Sequence, residues 1–190
     1  MSGFKDLYDY CQTLQPKISR KLILNKTLEI TGIDQLKSVK TGIDTGVFRG
    51  MFLSIANTNH QIVKQLGCNV IVLGRGQKYC WERFVYTKEL MHLFDTDEQS
   101  ADTPVKLDTI LADFEMPSGA DPVAESEYLG FWMALACLCP EANRLVFKEV
   151  FEKNHIDYYS IALQLKIPEL YVPLLFQERY RVIIDDLLSN

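Results

Sequence analysis

The feature that most constrains the fold is the segment 123–139 (VAESEYLGFWMALACLC), which begins acidic and becomes almost wholly apolar. A helix that is apolar on all sides is stable in water only when it lies inside a core. The fully apolar part, 129–139, is shorter than the ~20 residues needed to span a bilayer. The segment therefore predicts a helix with an exposed first turn and a body buried in the centre of a globular domain.

Composition and charge narrow the class of protein. The chain has 190 residues, of which 47% are apolar and 24% are charged, as in an ordinary soluble domain. The net charge of −5 argues against tight, unspecific binding of nucleic acid, which needs clustered Lys and Arg. The N-terminus lacks the apolar region of a signal peptide, and the five cysteines include no C-x-x-C pair. We therefore expect a cytoplasmic protein with reduced thiols and no membrane segment.

The pattern along the chain predicts an α+β fold, with a small β-sheet of about three strands flanked by helices. Residues 47–56 and 69–74 are rich in β-forming residues and predict strands, whereas 20–32 could form a strand or a short helix. Asp157 is a candidate N-cap. Apolar residues at helical spacing predict the helices 3–14, 81–94, 105–114, 123–139, 141–154, 157–165 and 168–188.

The helix predicted over 81–94 contains KELMH, which differs from the zinc-peptidase motif HExxH at its first position. Residues four apart lie on one face of a helix, so both histidines of HExxH can reach one zinc ion. The glutamate between them polarises the metal-bound water as a general base. Here Lys88 stands at the first ligand position, Glu89 at the general-base position and His92 at the second ligand position. The pattern predicts the frame of a hydrolase with one metal ligand replaced.

Further motifs accompany KELMH: an Arg-Phe pair, an upstream strand, an acidic residue at the start of an apolar helix that ends at a proline, and a short helix pair. They are Arg83-Phe84, Arg49-Gly50-Met51-Phe52, Glu127 with Met133-Ala134 and Leu138-Cys139-Pro140, Ile161-Ala162, Lys166-Ile167-Pro168-Glu169 and Tyr171-Val172. With these motifs, residues 45–185 resemble the ImmA/IrrE family of zinc metallopeptidase-like proteins, whose helix reads RFTxAHELxH. Gly130 and Phe131 depart from that pattern, because the family has Ala and Asn there.

The resemblance implies a zincin-like metallopeptidase core and a third metal ligand, Glu127, with Glu125 as the alternative. It implies one compact domain with an N-terminal segment over 1–45, a core over 46–140 and a helical segment over 141–190. Family members with an intact site resemble regulators that cleave repressors of mobile elements or stress genes. The implied partner is therefore a repressor-like regulatory protein, and the implied cofactor is zinc if the site is active.

Lys88 changes what this site can do. A protonated lysine has no lone pair and cannot bind a metal. A unit charge about 4 Å from a divalent ion costs about 8 kcal/mol at an effective dielectric constant near 20. That cost is comparable with the roughly 10–16 kcal/mol that a structural zinc site supplies. We expect the Lys88 ammonium instead to take the place of the metal and to pair with Glu127 or Glu89.

Three interpretations follow. In the first, the chain is a metal-free pseudo-peptidase in which Lys88 replaces the metal cation. In the second, it is a working zinc hydrolase that uses His92, Glu127 and a further ligand such as Asp95 or Glu125. In the third, KELMH is only part of an amphipathic helix, with His92 at the edge of the core and with Lys88 and Glu89 in solvent.

The C-terminal helix pair has the outline of a degenerate helix-turn-helix. The residues after its turn, 168–173, are apolar and acidic, which favours packing against the domain or a partner over reading of DNA bases. Gln177, Arg179 and Arg181 keep the DNA-binding alternative open. The apolar side chains that could serve an interface are Tyr171, Leu174 and Phe176.

Overall fold

The structure, a computed structural model, describes residues 2–57, 59–95 and 122–189. The helix predicted over 105–114 lies outside these residues. The described residues form nine α-helices, two 3₁₀ helices (His92–Phe94 and Glu169–Tyr171) and three strands. The helices are α1 (Ser2–Gln12), α2 (Arg20–Thr31), α3 (Gln61–Leu66), α4 (Tyr79–Met91), α5 (Pro122–Leu138), α6 (Glu141–Glu152), α7 (Tyr158–Leu165), α8 (Val172–Leu175) and α9 (Glu178–Ser189). The strands are β1 (Leu36–Thr41), β2 (Gly50–Leu53) and β3 (Asn69–Gly74).

The three strands form one mixed sheet in the order β1-β3-β2. Strand β1 runs parallel to β3, with Leu36 opposite Asn69, whereas β2 runs antiparallel to β3, with Gly50 opposite Leu73. Strand β3 lies in the middle and is mostly buried. The predicted α+β class with a small sheet is confirmed. The polar sequence of β1 (LKSVKT) explains why its position is not evident from hydrophobicity.

Helix α5 occupies the centre of the structure and is buried from Ser126 to Leu138. It packs against α1, α4 and α9. Phe131 and Trp132 are fully buried, and each large apolar side chain transferred from water contributes roughly 1.5–3 kcal/mol. The prediction of a buried helix over 123–139 is confirmed.

Residues 20–32 form a helix rather than a strand. The Ser19 side chain accepts a hydrogen bond from the Lys21 N–H, and Gly32 ends the helix at φ +66°, in the left-handed region that glycine adopts readily. The Ser19 cap and the glycine at the C-terminal end favour a helix, whereas the apolar pattern alone is compatible with a strand or a helix.

The C-terminal helix pair is only partly as predicted. The Asp157 side chain accepts a hydrogen bond from the Ser160 N–H at 2.8 Å, which confirms the predicted N-cap of α7. The single helix predicted over 168–188 is wrong, because a 3₁₀ turn, the short helix α8 and then α9 occupy these residues. Pro173, in the first turn of α8, cannot donate a backbone hydrogen bond, so a helix cannot run through it unbroken.

Three of the residues after the turn, Pro168, Tyr171 and Val172, pack into the domain, whereas Leu170 is 66% exposed. Tyr171 and Leu174 are buried, so their prediction as interface residues is wrong. The Tyr171 ring lies 4.7 Å from the Phe84 ring and 5.0 Å from the Phe131 ring, between centroids. Tyr171 is buried because this aromatic cluster joins the C-terminal segment to α4 and α5. Among the helices within the described residues, none combines the length and the apolar character needed to cross a membrane.

Candidate functional site

The KELMH residues and Glu127 meet where α4 crosses α5. Lys88 and Glu89 lie on α4, and Glu127 lies one turn into α5. Gly130 faces the Lys88 carbonyl oxygen, and a methyl group on Gly130 would lie 3.6 Å from that oxygen, which is an ordinary contact. The glycine that departs from the ImmA/IrrE pattern is therefore compatible with the same crossing of the two helices.

Strand β2 closes the site on the other side of α4. A methyl group on Gly50 would collide with Val85 Cγ1 and would lie 3.3 Å from Glu89 Oε1. The absence of a side chain at Gly50 thus lets the strand lie directly against the helix face that carries Glu89. Two residues along the same strand, Phe52 stacks on the His92 ring with the centroids 6.0 Å apart.

The Lys88 ammonium lies between two carboxylates. Its Nζ is 2.9 Å from Glu89 Oε1 and donates a short hydrogen bond to Glu127 Oε2. Lys88 is 3% exposed, Glu89 1% and Glu127 8%. Charges removed from water in this way are tolerated only when they are paired. Lys88 pairs with both Glu89 and Glu127, the two partners expected from the sequence. The interpretation that places Lys88 and Glu89 in solvent is wrong.

His92 extends the cluster towards the end of α4. Its Nδ1 lies 2.8 Å from Asp95 Oδ2 and 2.9 Å from Ser126 Oγ. The Ser126 hydroxyl donates to the same Asp95 oxygen at 2.7 Å. On the other edge of the ring, Nε2 lies 3.4 Å from Glu127 Oε1 and 3.6 Å from Glu89 Oε2. Both ring nitrogens thus face carboxylate oxygens.

The surroundings shift the protonation of these groups strongly. Burial alone would lower the pKa of Lys88, but the charges of Glu127 and Glu89 outweigh burial and raise that pKa. Burial alone would raise the pKa of Glu127, but Lys88 and His92 lower it to about 2. Burial alone would lower the pKa of His92, but its hydrogen bond to Asp95 and its contact with Glu127 raise that pKa to about 10. At neutral pH Lys88 and His92 are therefore cations and Glu127 is an anion.

Glu89 differs from Glu127 in its environment. Burial raises the pKa of Glu89, and the charge of Lys88 offsets only part of this effect. Its Oε2 atom has no hydrogen-bond partner among the described residues. One carboxylate oxygen of Glu89 is therefore occupied by the Lys88 ammonium, and the other is buried without a hydrogen bond within the described residues.

Glu89, His92 and Glu127 each offer one ligand atom, and these atoms lie within 4.8 Å of one another. Two carboxylates and an imidazole are a donor set that zinc accepts, so this group could hold a metal ion. Lys88, however, already binds one oxygen of each carboxylate with its own positive charge. A zinc ion would have to displace that ammonium or share its position. While Lys88 is protonated, the residues do not fit zinc.

Not every residue near the site was evident from the sequence. Glu125, the alternative ligand, lies in the half-exposed first turn of α5 and forms no ion pair or hydrogen bond with the cluster within the described residues. Asp95, proposed as a further ligand, instead bonds to His92. Ser126 and Phe52 also contact His92, and only the position of Ser126 beside Glu127 could have signalled a role.

The raised pKa of His92 makes stability depend on pH. Its value of about 10 in the folded protein exceeds the ordinary value of about 6.5. The stabilisation is therefore fully present below about pH 6.5 and is lost as the pH rises through about 10. We expect the free energy of unfolding to fall more steeply over this range in the wild type than in a His92→Gln variant, as measured by urea titration. Exposed His155, replaced by Gln, is the control. Parallel curves for the wild type and His92→Gln would show that His92 is uncharged in the folded protein.

The chain was compared with known proteins by sequence and by structure. No protein-family model, no curated protein and no solved structure matches it. The ImmA/IrrE resemblance therefore rests on the sequence motifs above, and membership of that family stays a prediction.

Proposed function

We propose that this chain is an ImmA/IrrE-like protein with a degenerate metallopeptidase site, which acts as a catalytically inactive regulatory or protein-interaction module. The observation that carries the proposal is the Lys88 ammonium between the Glu89 and Glu127 carboxylates. A metal would bring positive charge to this position. Here Lys88 brings that charge, and it holds α4 and α5 together without a metal.

The protonation states of the cluster argue against hydrolysis. A peptidase of this type needs an open position on a metal for water and a carboxylate that accepts the proton of that water. Glu89 stands at the general-base position, but one of its oxygens is paired with the Lys88 ammonium, whose charge lowers its affinity for a proton. His92 has both ring nitrogens directed at carboxylates and a pKa of about 10, so its lone pair is protonated at neutral pH. The site has the layout of a hydrolase without its reactive groups.

The mixed sheet with β2 lying along α4 supports the zincin-like core that belongs to this proposal. The partner implied by the resemblance is a repressor-like regulatory protein, and the cytoplasm is the compartment in which such a protein would act. Nucleic acid is disfavoured as the partner, because the exposed residues after the turn of the C-terminal pair are Glu169 and Leu170, an acidic and an apolar side chain.

An active zinc endopeptidase that cleaves a regulatory protein such as a repressor is the second candidate. The observation that favours it is the convergence of Glu89, His92 and Glu127 within 4.8 Å. This function requires Lys88 to lose its proton and to leave the two carboxylates. The raised pKa of Lys88 opposes the first of these steps.

Hydrolysis can be tested without knowledge of the natural partner. A diverse peptide mixture is incubated with the purified chain and added zinc, and the new termini are identified by mass spectrometry. We expect the wild type and the Glu89→Gln variant to give the same pattern, because Glu89 activates no water. Cleavage by the wild type that is absent with Glu89→Gln would establish the endopeptidase and overturn the proposal.

A further inference from the structure

A cavity of about 450 Å³ lies away from the Lys88 cluster, beside the first turns of α2 and α4. The loop before α2, the first turn of α4 and the C-terminal end of α7 line it. The lining residues are Lys17, Ile18, Ser19, Arg20, Lys21, Tyr79, Glu82, Arg83 and Lys166.

The lining is strongly basic in a chain of net charge −5. It contains five cations and one carboxylate, Glu82. That carboxylate is already shared, since Glu82 lies 3.6 Å from Arg20 Nη1 and 2.7 Å from Lys40 Nζ. Within the described residues, neither Lys17 nor Lys21 pairs with a carboxylate. Carboxylates of the described residues therefore leave most of the positive charge that faces the cavity without an ion-pair partner.

Arg83 adds a buried charge to the wall of the cavity. Its guanidinium is held by backbone carbonyl oxygens alone, those of Leu165 (2.9 Å), Lys166 (3.0 Å) and Ile18 (2.5 Å). Within the described residues no carboxylate pairs with it, although Arg83 is only 3% exposed. Burial lowers the pKa of Arg83 to about 10. A buried cation neutralised only by dipoles gains stability when an anion comes near.

Two of the cavity lysines have an unfavourable backbone conformation. Lys17 has φ +69° and Lys166 has φ +56°, in the left-handed region. Residues with a side chain rarely adopt this conformation, and such outliers cluster at ligand-binding positions. Lys166 adopts it as the residue that ends α7. Asn154 is the other non-glycine residue of this kind in the described chain, so two of the three line the same basic cavity.

We propose that this cavity binds the polyphosphate group of a small ligand. Several lysines and arginines converging on one recess suit an anion with more than one negative charge, and phosphate oxygens accept hydrogen bonds from both side-chain types. The first turn of α2 opens onto the same recess, and its N-terminal N–H groups favour negative charge. The net charge of −5 disfavours a nucleic acid, which would contact a larger surface. This proposal does not depend on the state of Lys88.

Tripolyphosphate is the probe, and isothermal titration calorimetry at low salt is the measurement. The test variant is Lys17→Asn with Lys166→Asn, because asparagine tolerates the left-handed conformation and removes the charge. The matched control, Lys148→Gln with Lys153→Gln, removes two lysines at the C-terminal end of α6, which pair with Glu152 and Glu149. We expect tripolyphosphate to bind the wild type and the control alike, and the test variant at least about tenfold more weakly, as the loss of a charge-assisted hydrogen bond implies.

Three outcomes would overturn the proposal. The first is no heat of binding to the wild type, and the second is equal loss of affinity in the test and control variants. The third is tighter binding of a single-stranded oligonucleotide than of tripolyphosphate, which would assign the basic surface to nucleic acid. Circular dichroism of each variant shows that a lost affinity does not reflect unfolding.

Discussion

Replacement of Lys88 by methionine is expected to lower the free energy of unfolding by about 3–5 kcal/mol, which is the usual cost of removing one partner of a buried ion pair. Methionine keeps most of the side-chain length but removes the ammonium that contacts both carboxylates. His92 is then the one cation near Glu89 and Glu127 within the described residues, and its Nε2 lies 3.4–3.6 Å from them. For a domain of this length the loss corresponds to a fall of about 10 °C in Tm. Urea titration and a thermal melt at neutral pH measure both quantities.

The deficit of Lys88→Met should itself depend on pH. Without the ammonium, the folded protein favours protonated carboxyl groups, so the pKa values of Glu89 and Glu127 rise above their unfolded values. The deficit is then smallest near about pH 5 and grows as the pH rises. The double variant Lys88→Met with Glu127→Gln should unfold with a free energy at least about 1 kcal/mol above that of Lys88→Met, because it lacks the buried negative charge of Glu127.

Lys153→Met is the matched control, because it breaks an exposed pair with Glu149. Exposed pairs contribute about 0–1 kcal/mol, so this variant should melt close to the wild type. Equal effects of Lys88→Met and Lys153→Met would contradict the structural role given to the Lys88 cluster.

The second large effect is expected from Lys88→His, which restores the first metal ligand. We expect this variant to bind one zinc ion per chain with His92 and Glu127, since the other donors already lie within 4.8 Å of one another. Zinc at about 1,000 times its Kd would then raise the free energy of unfolding by about 4 kcal/mol. Calorimetry with zinc and melts with and without zinc measure the affinity and the stabilisation.

The control for Lys88→His is the same variant with Glu127→Gln, which keeps the shape of the side chain but removes the charged ligand. We expect most of the zinc affinity to be lost in it, whereas Glu125→Gln should have little effect. The reverse order would show that Glu125 is the third ligand and that the position given to Glu127 is wrong.

Some parts of the fold could be predicted because a single segment carries the signal. The apolar residues of 129–139 require burial wherever the rest of the chain lies, and the Asp157 cap is decided within one helical turn. Strand β1 shows the opposite case, since its sequence LKSVKT carries no clear apolar pattern and forms a strand through pairing with β3. Pro173 is a signal in the sequence against one helix over 168–188, whereas the burial of Tyr171 between α4 and α5 depends on tertiary packing.

Some residues of the candidate site could likewise be predicted from the sequence, and others depend on tertiary packing. The spacing of Lys88, Glu89 and His92 on one helix places them together without any knowledge of the fold. Glu127 follows only from the ImmA/IrrE resemblance. The contacts of Phe52 and Ser126 with His92 follow from neither, because they arise where β2 and α5 meet α4.

The central claim is that the Lys88 ammonium takes the place of a metal ion between Glu89 and Glu127. The most direct measurement is the zinc content of the wild-type chain, purified from zinc-supplemented medium without chelators and analysed by elemental spectrometry. The claim predicts a zinc content well below one ion per chain, unchanged in Glu127→Ala. Close to one zinc per chain, lost on Glu127→Ala, would contradict it.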